Sequence, residues 1–203
     1  MEKTAIEFMK KNRVVAVIRS ASYERSLEFA RACADGGIRI IEVISISPGS
    51  ERLLRELASE DGICVGAGTV LDRGSAERMY DCGARFIVSP HTDRAIIEYC
   101  RKNGITVVSG AFTSSEMVAA RKMGADFVKI FPASSFGPGY VKAIKEALGF
   151  MDIMVTGGIN ADNVRDYLAA GASLAGVSTA LLGGGDDYLS IKQRAEKFSE
   201  FSA

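Results

Sequence analysis

The sequence lacks the residues that mark several specialised classes of protein. It has no tryptophan, one histidine and four cysteines, and no two of those cysteines form a Cys-x-x-Cys pair. A zinc site built from Cys and His ligands is therefore not expected. Isolated cysteines of this kind are typical of reduced thiols in a cytoplasmic protein.

An excess of either charge and a long apolar run are also absent. Lys plus Arg and Asp plus Glu number 25 each, so the formal net charge is zero. Nucleic-acid binders usually carry a basic excess. No apolar run is long enough to span a bilayer, and the start MEKTAIEFMKKNR has no apolar core of a signal peptide. The sequence therefore predicts a cytoplasmic protein without nucleic-acid or membrane partners.

A pattern that does recur is a glycine followed at once by a short apolar run. Successive glycines lie 20 to 25 residues apart, which leaves room for one strand, one helix and two short loops. They are Gly37, Gly62, Gly83, Gly104, Gly124, Gly149 and Gly171. Such glycines suit the left-handed residue that ends a helix. An eighth run, VVAVIR at 14–19, precedes the first of them.

Eight strand–helix units predict an α/β fold, the (β/α)8 TIM barrel, as a single domain over residues 1–203. The strands are nearly all apolar, as parallel strands covered on both faces must be. An open, doubly wound sheet is the alternative. It would carry a glycine-rich phosphate loop after its first strand, and VIRSAS at that place is not glycine-rich.

Polar residues interrupt the apolar strands or follow them. Strand side chains alternate between the lumen and the helix layer. In the strand predicted over 127–131, this alternation directs Lys129 into the lumen with Phe127 and Phe131, and in the second strand it directs Glu42 inward. The same reasoning places in the lumen Arg19 after Val15 and Val17, Thr69 after Val65 and Ala67, Thr156 after Met154, and Ser178 after Gly176. These polar residues should meet at the C-terminal mouth, where active sites of this fold lie.

An inward lysine and glutamate have a structural and a chemical interpretation. A Lys–Glu pair in a lumen can serve only to satisfy its own charges, and small hydroxyl residues are common lumen fillers. Fully burying an unpaired charge costs several kcal/mol, and the further polar residues at the same mouth favour a functional site. Burial disfavours the ammonium form, and a neutral amine can form a Schiff base with a ketone. Glu42 is suited to move protons and Arg19 to hold a substrate carboxylate.

The stretch VTGGIN at 155–160 predicts a phosphate site. A Gly-Gly pair between the seventh strand and its helix exposes backbone N–H groups. Together with the turn around Ser178 and Thr179 after the eighth strand, it matches the usual phosphate cradle of these barrels. A tight turn that needs glycine for its conformation alone is the alternative.

Several of these motifs together resemble a known family over nearly the whole chain. VVAVIR, GGIRIIEV, VGAGTVL, FIVSPH, VKIFPAS-x-FGP-x-Y-x-KA and VTGGIN are similar, in the same order and at similar spacing, to the class I aldolases that cleave 2-keto-3-deoxy-6-phosphogluconate. That family includes 4-hydroxy-2-oxoglutarate aldolases and the 6-phosphogalactonate counterparts. The resemblance implies a homotrimer that needs no metal or other cofactor and takes part in Entner–Doudoroff carbohydrate metabolism.

The resemblance also implies roles for individual residues. Lys129 within VKIFPA would be the Schiff-base lysine, and Glu42 within IEV the general acid/base. The pyruvate pocket would be lined by Thr69 and Pro90, and the phosphate would be bound by Thr156, Gly157, Gly158 and Ser178.

The sequence departs from the family at the carboxylate clamp. Many members carry an arginine four residues after the catalytic glutamate, where this chain has Ile46. Other members have an arginine at the end of the first strand instead, so we assign the clamp to Arg19. His91, the only histidine, follows the SP of FIVSPH at the mouth and is a pocket-lining residue at most.

The resulting expectation is a carbon–carbon lyase. It would cleave 2-keto-3-deoxy-6-phosphogluconate to pyruvate and glyceraldehyde 3-phosphate, with 4-hydroxy-2-oxoglutarate, which gives pyruvate and glyoxylate, as a second candidate. TGGI resembles the gluconate-type enzymes, whereas SSFGPGYVKA is also close to galactonate-type sequences, so the galactonate epimer is an alternative substrate. Two further alternatives are a phosphate-binding barrel isomerase or synthase without an imine, and a non-catalytic sugar-phosphate-binding barrel.

Overall fold

The computed structural model of the chain describes residues 5–183 and 185–201. Eight parallel strands hydrogen-bond to one another in chain order, and the first pairs with the last, so the sheet closes into a barrel. The predicted (β/α)8 barrel is confirmed. The predicted domain over 1–203 also includes residues 1–4, 184, 202 and 203, which lie outside the described residues. Within the described ranges, no helix is long and apolar enough to cross a membrane.

Strands and helices alternate along the chain after one leading helix. The strands are β1 Val14–Ile18, β2 Ile40–Ile44, β3 Cys64–Gly68, β4 Phe86–Ser89, β5 Thr106–Gly110, β6 Phe127–Ile130, β7 Ile153–Thr156 and β8 Leu174–Val177. The helices are α1 Ala5–Asn12, α2 Tyr23–Asp35, α3 Ser50–Ala58, α4 Arg73–Asp81, α5 Arg94–Lys102, α6 Ser114–Met123, α7 Gly137–Ala147, α8 Val164–Ala169, α9 Thr179–Leu182 and α10 Tyr188–Ser199. A short 3-10 turn, Ala133–Ser135, precedes α7.

The strand side chains form two separate apolar layers. One layer lies between the sheet and the helices and includes Ile41, Val43, Val128 and Ile130. The other fills the lumen and includes Val15, Val17, Ile40, Ile44, Cys64, Phe86, Val88, Val108, Phe127, Met154 and Leu174. The predicted alternation is therefore confirmed for β2 and β6, which also sets the inward direction of Glu42 and Lys129.

Helix α1 closes the N-terminal end of the lumen. Met9 is fully buried and belongs to the lumen layer, against which Ile6 and Phe8 pack. Lys10 Nζ lies 2.7 Å from Asp152 Oδ2, just before β7. Side chains of the described residues thus fill the N-terminal end of the lumen, and the cavity that Lys129 lines lies at its C-terminal end.

The predicted alternation is wrong for β3. Val65 and Ala67 pack in the helix layer, while Cys64 takes a lumen position. Thr69 still reaches the mouth because β3 ends at Gly68 and Thr69 itself has a left-handed backbone, with φ of 56°. Because Thr69 lies beyond the pleated strand, the alternation of side chains between lumen and helix layer does not apply to it.

The predicted strand at 127–131 is one residue too long. β6 ends at Ile130, and Phe131 is 54% exposed at the mouth and does not pack in the lumen. Phe131 precedes Pro132, which supplies no N–H for a strand ladder. The physical reason for the shorter strand is therefore in the sequence itself.

Six of the seven repeat glycines have the predicted left-handed backbone, and Gly149 does not. After α7, Leu148 is the C-cap residue, and Lys145 Nζ donates to the carbonyl oxygens of Gly149 and Met151 at 2.8 and 2.7 Å. The helix end itself is closed by the Leu148 N–H, which donates to the Ile144 carbonyl oxygen at 2.7 Å, so no left-handed glycine is needed there.

Candidate active site

The C-terminal mouth of the barrel contains a cavity of about 400 Å³. Eight of the nine predicted site residues line it: Arg19, Thr69, Pro90, Lys129, Thr156, Gly157, Gly158 and Ser178. They come from strand ends that are far apart in sequence, and the closed sheet brings them together. The ninth, Glu42, lies below the cavity floor and reaches it through Lys129.

Lys129 and Glu42 form the buried centre of this site. Lys129 Nζ lies 3.4 Å from Glu42 Oε1, and the two residues are 8% and 0% exposed. The second carboxylate oxygen, Oε2, has no hydrogen-bond partner within the described part of the chain. An amine and a carboxylate are therefore held side by side, and the carboxylate retains capacity to accept a further proton or hydrogen bond.

A glycine that sequence reasoning missed makes room for this carboxylate. Gly68 lies opposite Ile44 in the β2–β3 ladder. A Cβ atom at Gly68 would lie 2.0 Å from Glu42 Oε1 and 2.6 Å from Glu42 Cδ, far closer than such atoms approach. The only signal for it in the sequence is the second glycine of GAGT.

Three residues on the β1, β3 and β4 side of the cavity were predicted to hold the pyruvate portion. Arg19 follows β1 and is exposed, and no side-chain hydrogen bond joins it to another described residue. The Thr69 backbone is held because its carbonyl oxygen accepts the Ser45 hydroxyl at 3.0 Å. Ile46 is 68% exposed and does not line the cavity. Among the described residues, Arg19 is the only arginine that lines this cavity, and the carboxylate clamp stays a prediction.

Another part of the wall is a glycine-rich turn after β7. Gly157 and Gly158 both have left-handed backbones, with φ of 88° and 81°. A Cβ at Gly157 would lie 2.9 Å from the Phe131 ring, and one at Gly158 would lie 2.5 Å from Ser134 Cβ. The turn therefore needs glycine for its conformation and its packing. It also leaves the backbone uncovered toward the cavity.

Ser178 lies beside this turn at the start of α9. Its hydroxyl donates to the Val17 carbonyl oxygen at 2.8 Å, which ties the ends of β8 and β1 together. Because that hydrogen is already used, the donor that Ser178 itself can offer an anion is its backbone N–H group. The sequence predicted Ser178 as a ligand without distinguishing its side chain from its backbone.

Other residues of the cavity wall were not predicted as site residues. The set consists of Val17, Ile44, Phe131, Ile159, Gly176 and Thr179. Phe131 is the most prominent, because the centroid of its ring lies 5.8 Å from Lys129 Nζ. The lumen alternation could have identified Val17, Ile44 and Gly176, which precede or share strands with predicted site residues.

No metal site accompanies this cavity in the part of the chain that the structure describes. Among those residues, no three His, Cys, Asp or Glu side chains group in a way that would hold an ion. His91 stands outside the cavity, with Nδ1 3.0 Å from Ser89 Oγ. The chemistry offered by the described side chains is that of an amine, a carboxylate and anion-binding groups.

Known proteins share both the sequence and this architecture. Residues 5–193 match the family profile described as "KDPG and KHG aldolase". A probable 2-dehydro-3-deoxy-6-phosphogalactonate aldolase of Rhizobium meliloti is 33% identical over 90% of this chain and 87% of its own length. A KHG/KDPG aldolase of Escherichia coli is 33% identical over 77% of this chain and 74% of its own length.

A solved structure adds a chemical observation on a relative. The KDPG aldolase of Legionella pneumophila, solved with pyruvate captured as a covalent carbinolamine intermediate, has a TM-score of 0.88 and 26% identity. The similarity covers 98% of this chain and all of that one. The pyruvate adduct belongs to that protein, and this chain shares its fold over the full length compared.

Proposed function

Because the chain belongs to the KDPG and KHG aldolase family and is a carbon–carbon lyase, we propose that it cleaves a phosphorylated 2-keto-3-deoxy sugar acid through an imine at Lys129. KDPG denotes 2-keto-3-deoxy-6-phosphogluconate and KHG denotes 4-hydroxy-2-oxoglutarate. The observation that carries the proposal is the buried Lys129 amine, 3.4 Å from a fully buried Glu42 carboxylate at the floor of the open cavity.

Lys129 acts as the nucleophile. Its amine adds to the C2 ketone of the substrate, and loss of water leaves an iminium ion. The surroundings favour this step because Phe127 belongs to the apolar layer of the lumen and the Phe131 ring lies beside the amine. An iminium withdraws electrons from the C3–C4 bond, which is the bond to be broken.

Glu42 transfers the protons. The C4 hydroxyl proton is removed, the C3–C4 bond breaks, and its electron pair forms the enamine of pyruvate as glyceraldehyde 3-phosphate leaves. The carboxyl group then returns a proton to C3, and water hydrolyses the iminium to release pyruvate and the amine. The unpartnered Oε2 atom is suited to this task, directly or through a water molecule.

The two charged ends of the substrate bind at different parts of the cavity wall. Arg19 binds the carboxylate, and Thr69 and Pro90 contact the pyruvate portion. The phosphate binds at Gly157 and Gly158 with the backbone at Ser178, and Thr156 lies at the base of this turn. This arrangement holds the C2 ketone over Lys129 between the two anchors.

The principal candidate substrate is 2-keto-3-deoxy-6-phosphogluconate, and its galactonate epimer is the second. Thr156 before the Gly-Gly pair favours the gluconate type, whereas a relative with 33% identity carries the galactonate name. The two substrates differ in configuration at one carbon, for which a single contact gives limited discrimination. KHG, which has no phosphate, would use Lys129 and Glu42 without the glycine turn.

Assembly and location follow from the family in the same proposal. We expect a homotrimer in the cytoplasm that serves the Entner–Doudoroff route of sugar acid breakdown. Sedimentation of the purified protein tests the trimer.

Borohydride reduction in the presence of pyruvate tests the imine. We expect intact-mass analysis to show one stable adduct, and peptide analysis to place it on Lys129. Lys129→Ala should form no adduct and lose cleavage of both epimers. An adduct on an exposed lysine such as Lys102, or none on folded protein, would contradict the mechanism.

The same variants separate the alternatives. A barrel isomerase or synthase that uses Lys129 only as a charge would retain part of its activity in Lys129→Arg. A non-catalytic sugar-phosphate-binding barrel would bind its ligand unaltered in Lys129→Ala and turn nothing over.

A further inference from the structure

A second cavity opens from the same lysine on the other side of the mouth. Its volume is about 530 Å³, and it shares Pro90, Lys129 and Phe131 with the first cavity. Its remaining lining lies at or after the ends of β4, β5 and β6 and at the start of α6, and the proposed substrate sites do not use it. These residues are His91, Thr92, Gly110, Ala111, Phe112, Glu116 and Pro132. The two cavities therefore meet at Lys129 and extend from it along different parts of the mouth.

The second cavity does not suit an anion. Apart from Lys129 at its inner end, no lysine or arginine lines it. The backbone N–H groups of Phe112 and Thr113 at the start of α6 both donate to Glu116 Oε2 at 2.8 Å, so the protein's own carboxylate occupies these donors. These two hydrogen bonds hold the pKa of Glu116 below its ordinary value. The wall thus presents a negative charge, which repels phosphate.

The wall does suit a flat apolar group. The Phe112 and Phe136 rings pack edge to face with centroids 4.8 Å apart, and Tyr140 packs against both. Phe131 presents a half-exposed ring on the opposite side, beside the amine. Of these rings, Phe112 and Phe131 line the cavity, and Phe136 and Tyr140 support Phe112 from outside it. An aromatic ring that enters between Phe112 and Phe131 would gain the edge-to-face or stacked contacts that such rings favour.

We propose that this second cavity is an acceptor lobe, in which the enamine formed at Lys129 adds to uncharged aromatic aldehydes. The proposal rests on the proposed function, because it needs the pyruvate enamine. We name the space of the first cavity at Gly157, Gly158 and Thr179 the phosphate lobe, and the space at His91, Thr92 and Phe112 the aromatic lobe.

With benzaldehyde the reaction is the reverse of cleavage. Glu42 takes a methyl proton from the pyruvate iminium to give the enamine. The enamine carbon forms a bond to the aldehyde carbon, the C=O electron pair moves to the aldehyde oxygen, and that oxygen takes the proton from Glu42. Water hydrolyses the iminium and releases 4-hydroxy-2-oxo-4-phenylbutanoate. The water lost when the imine forms is regained here, and nothing is oxidised or reduced.

The test compares two aldehydes in two matched variants. Wild-type protein is given pyruvate with benzaldehyde or with glyceraldehyde 3-phosphate, and kcat/KM is measured for each aldehyde. His91→Trp fills the aromatic lobe, and Thr179→Trp fills the phosphate lobe. Both residues are exposed. His91 follows β4 and lines the aromatic lobe, whereas Thr179 begins α9 and belongs to the proposed phosphate site. Borohydride trapping of pyruvate tests whether Lys129 still forms the imine in wild type and in each variant.

We expect opposite effects from the two variants. His91→Trp should lower kcat/KM for benzaldehyde by about ten-fold or more and leave that for glyceraldehyde 3-phosphate little changed. Thr179→Trp should do the reverse. His91→Ala, which widens the aromatic lobe, should raise the rate with 2-naphthaldehyde relative to benzaldehyde.

The outcomes separate this proposal from the proposed function. If pyruvate is not trapped at Lys129, the proposed function itself fails. If pyruvate is trapped and glyceraldehyde 3-phosphate is accepted but benzaldehyde is not, the aromatic lobe alone is overturned. It is also overturned if Thr179→Trp lowers benzaldehyde addition while both His91 variants leave aromatic addition unchanged.

Discussion

At the scale of single residues, Gly68 controls whether Glu42 fits in the lumen. A methyl group at Gly68 would lie 2.0 Å from Glu42 Oε1. We expect Gly68→Ala to displace the carboxylate from Lys129 and to lower kcat for cleavage by about 10²–10⁴-fold, the range associated with loss of a general acid/base. Borohydride trapping of pyruvate at Lys129 should persist, because the amine itself is untouched.

A control and a rescue make this prediction specific. Gly139→Ala is the control, because a Cβ there meets no atom within 4 Å. Adding Glu42→Asp to Gly68→Ala shortens the carboxylate and should recover part of the lost kcat. Full activity of Gly68→Ala would show that the ladder moves to admit the methyl group, and the prediction would be wrong.

Charged lumen residues could be predicted from the sequence, whereas a glycine in the lumen and a contact between distant residues could not. Alternation along a strand located Lys129 and Glu42 because each is a charged residue among apolar ones. It could not locate Gly68, because a glycine has no side chain to assign to either face. It also gave no indication that the Ser178 hydroxyl is engaged by Val17, since that contact joins residues 161 positions apart in sequence.

At the scale of helices and strands, two carboxyl groups should affect stability with opposite dependence on pH. Glu116 caps α6, and its hydrogen bonds from Phe112 and Thr113 lower its pKa. Burial raises the pKa of Asp126, which precedes β6 and accepts the Val107 N–H. Stabilisation by Glu116 is present above its ordinary pKa and is lost as the pH falls through the lowered value. The contribution of Asp126 is largest in acid and is lost as the pH rises through the raised value.

Glu116→Gln and Asp126→Asn, as a matched pair, test whether the two carboxyl groups change stability in opposite directions with pH. Free energies of unfolding in urea are measured from about pH 3 to pH 7. Relative to wild type, Glu116→Gln should become less stable as the pH rises, and Asp126→Asn should become more stable. Parallel curves for the two variants would contradict the assigned causes.

The strands and helices were predictable where the spacing of apolar residues and the helix-capping residues determine them. The glycine repeat gave the eight strand–helix units, and TSSE at 113–116 is a capping box in the structure. The errors lie where another contact replaces the general rule. The Leu148 N–H closes the end of α7, where Gly149 was expected to do so. The turn at Thr69 follows a strand whose lumen face is mostly glycine.

At the scale of the whole molecule, the leading helix is an integral part of the barrel. Met9 is fully buried in the lumen layer. We expect Met9→Ala to lower the free energy of unfolding by about 2–5 kcal/mol, because it leaves a cavity in a filled lumen. The exposed Lys11→Ala on the same helix is the matched control and should change it little.

Activity distinguishes this role from one in catalysis. Met9 lies at the closed end of the lumen, away from the mouth, so kcat of folded Met9→Ala should match that of wild type well below its Tm. A loss of stability no greater than that of Lys11→Ala would show that α1 packs loosely on the barrel. The repeat could not reveal this helix, since α1 precedes the first strand of the series.

The closed sheet has a consequence for association between misfolded chains. Since β8 pairs with β1, each strand has a hydrogen-bonded neighbour on both sides, and no strand of the described chain offers a free edge. Free edges are the template on which strands of separate molecules join into aggregates. Aggregation through strand pairing must therefore begin with the opening of a seam between two strands. Its rate should follow the rate at which the barrel opens, and charge changes on the outer helices should alter it little.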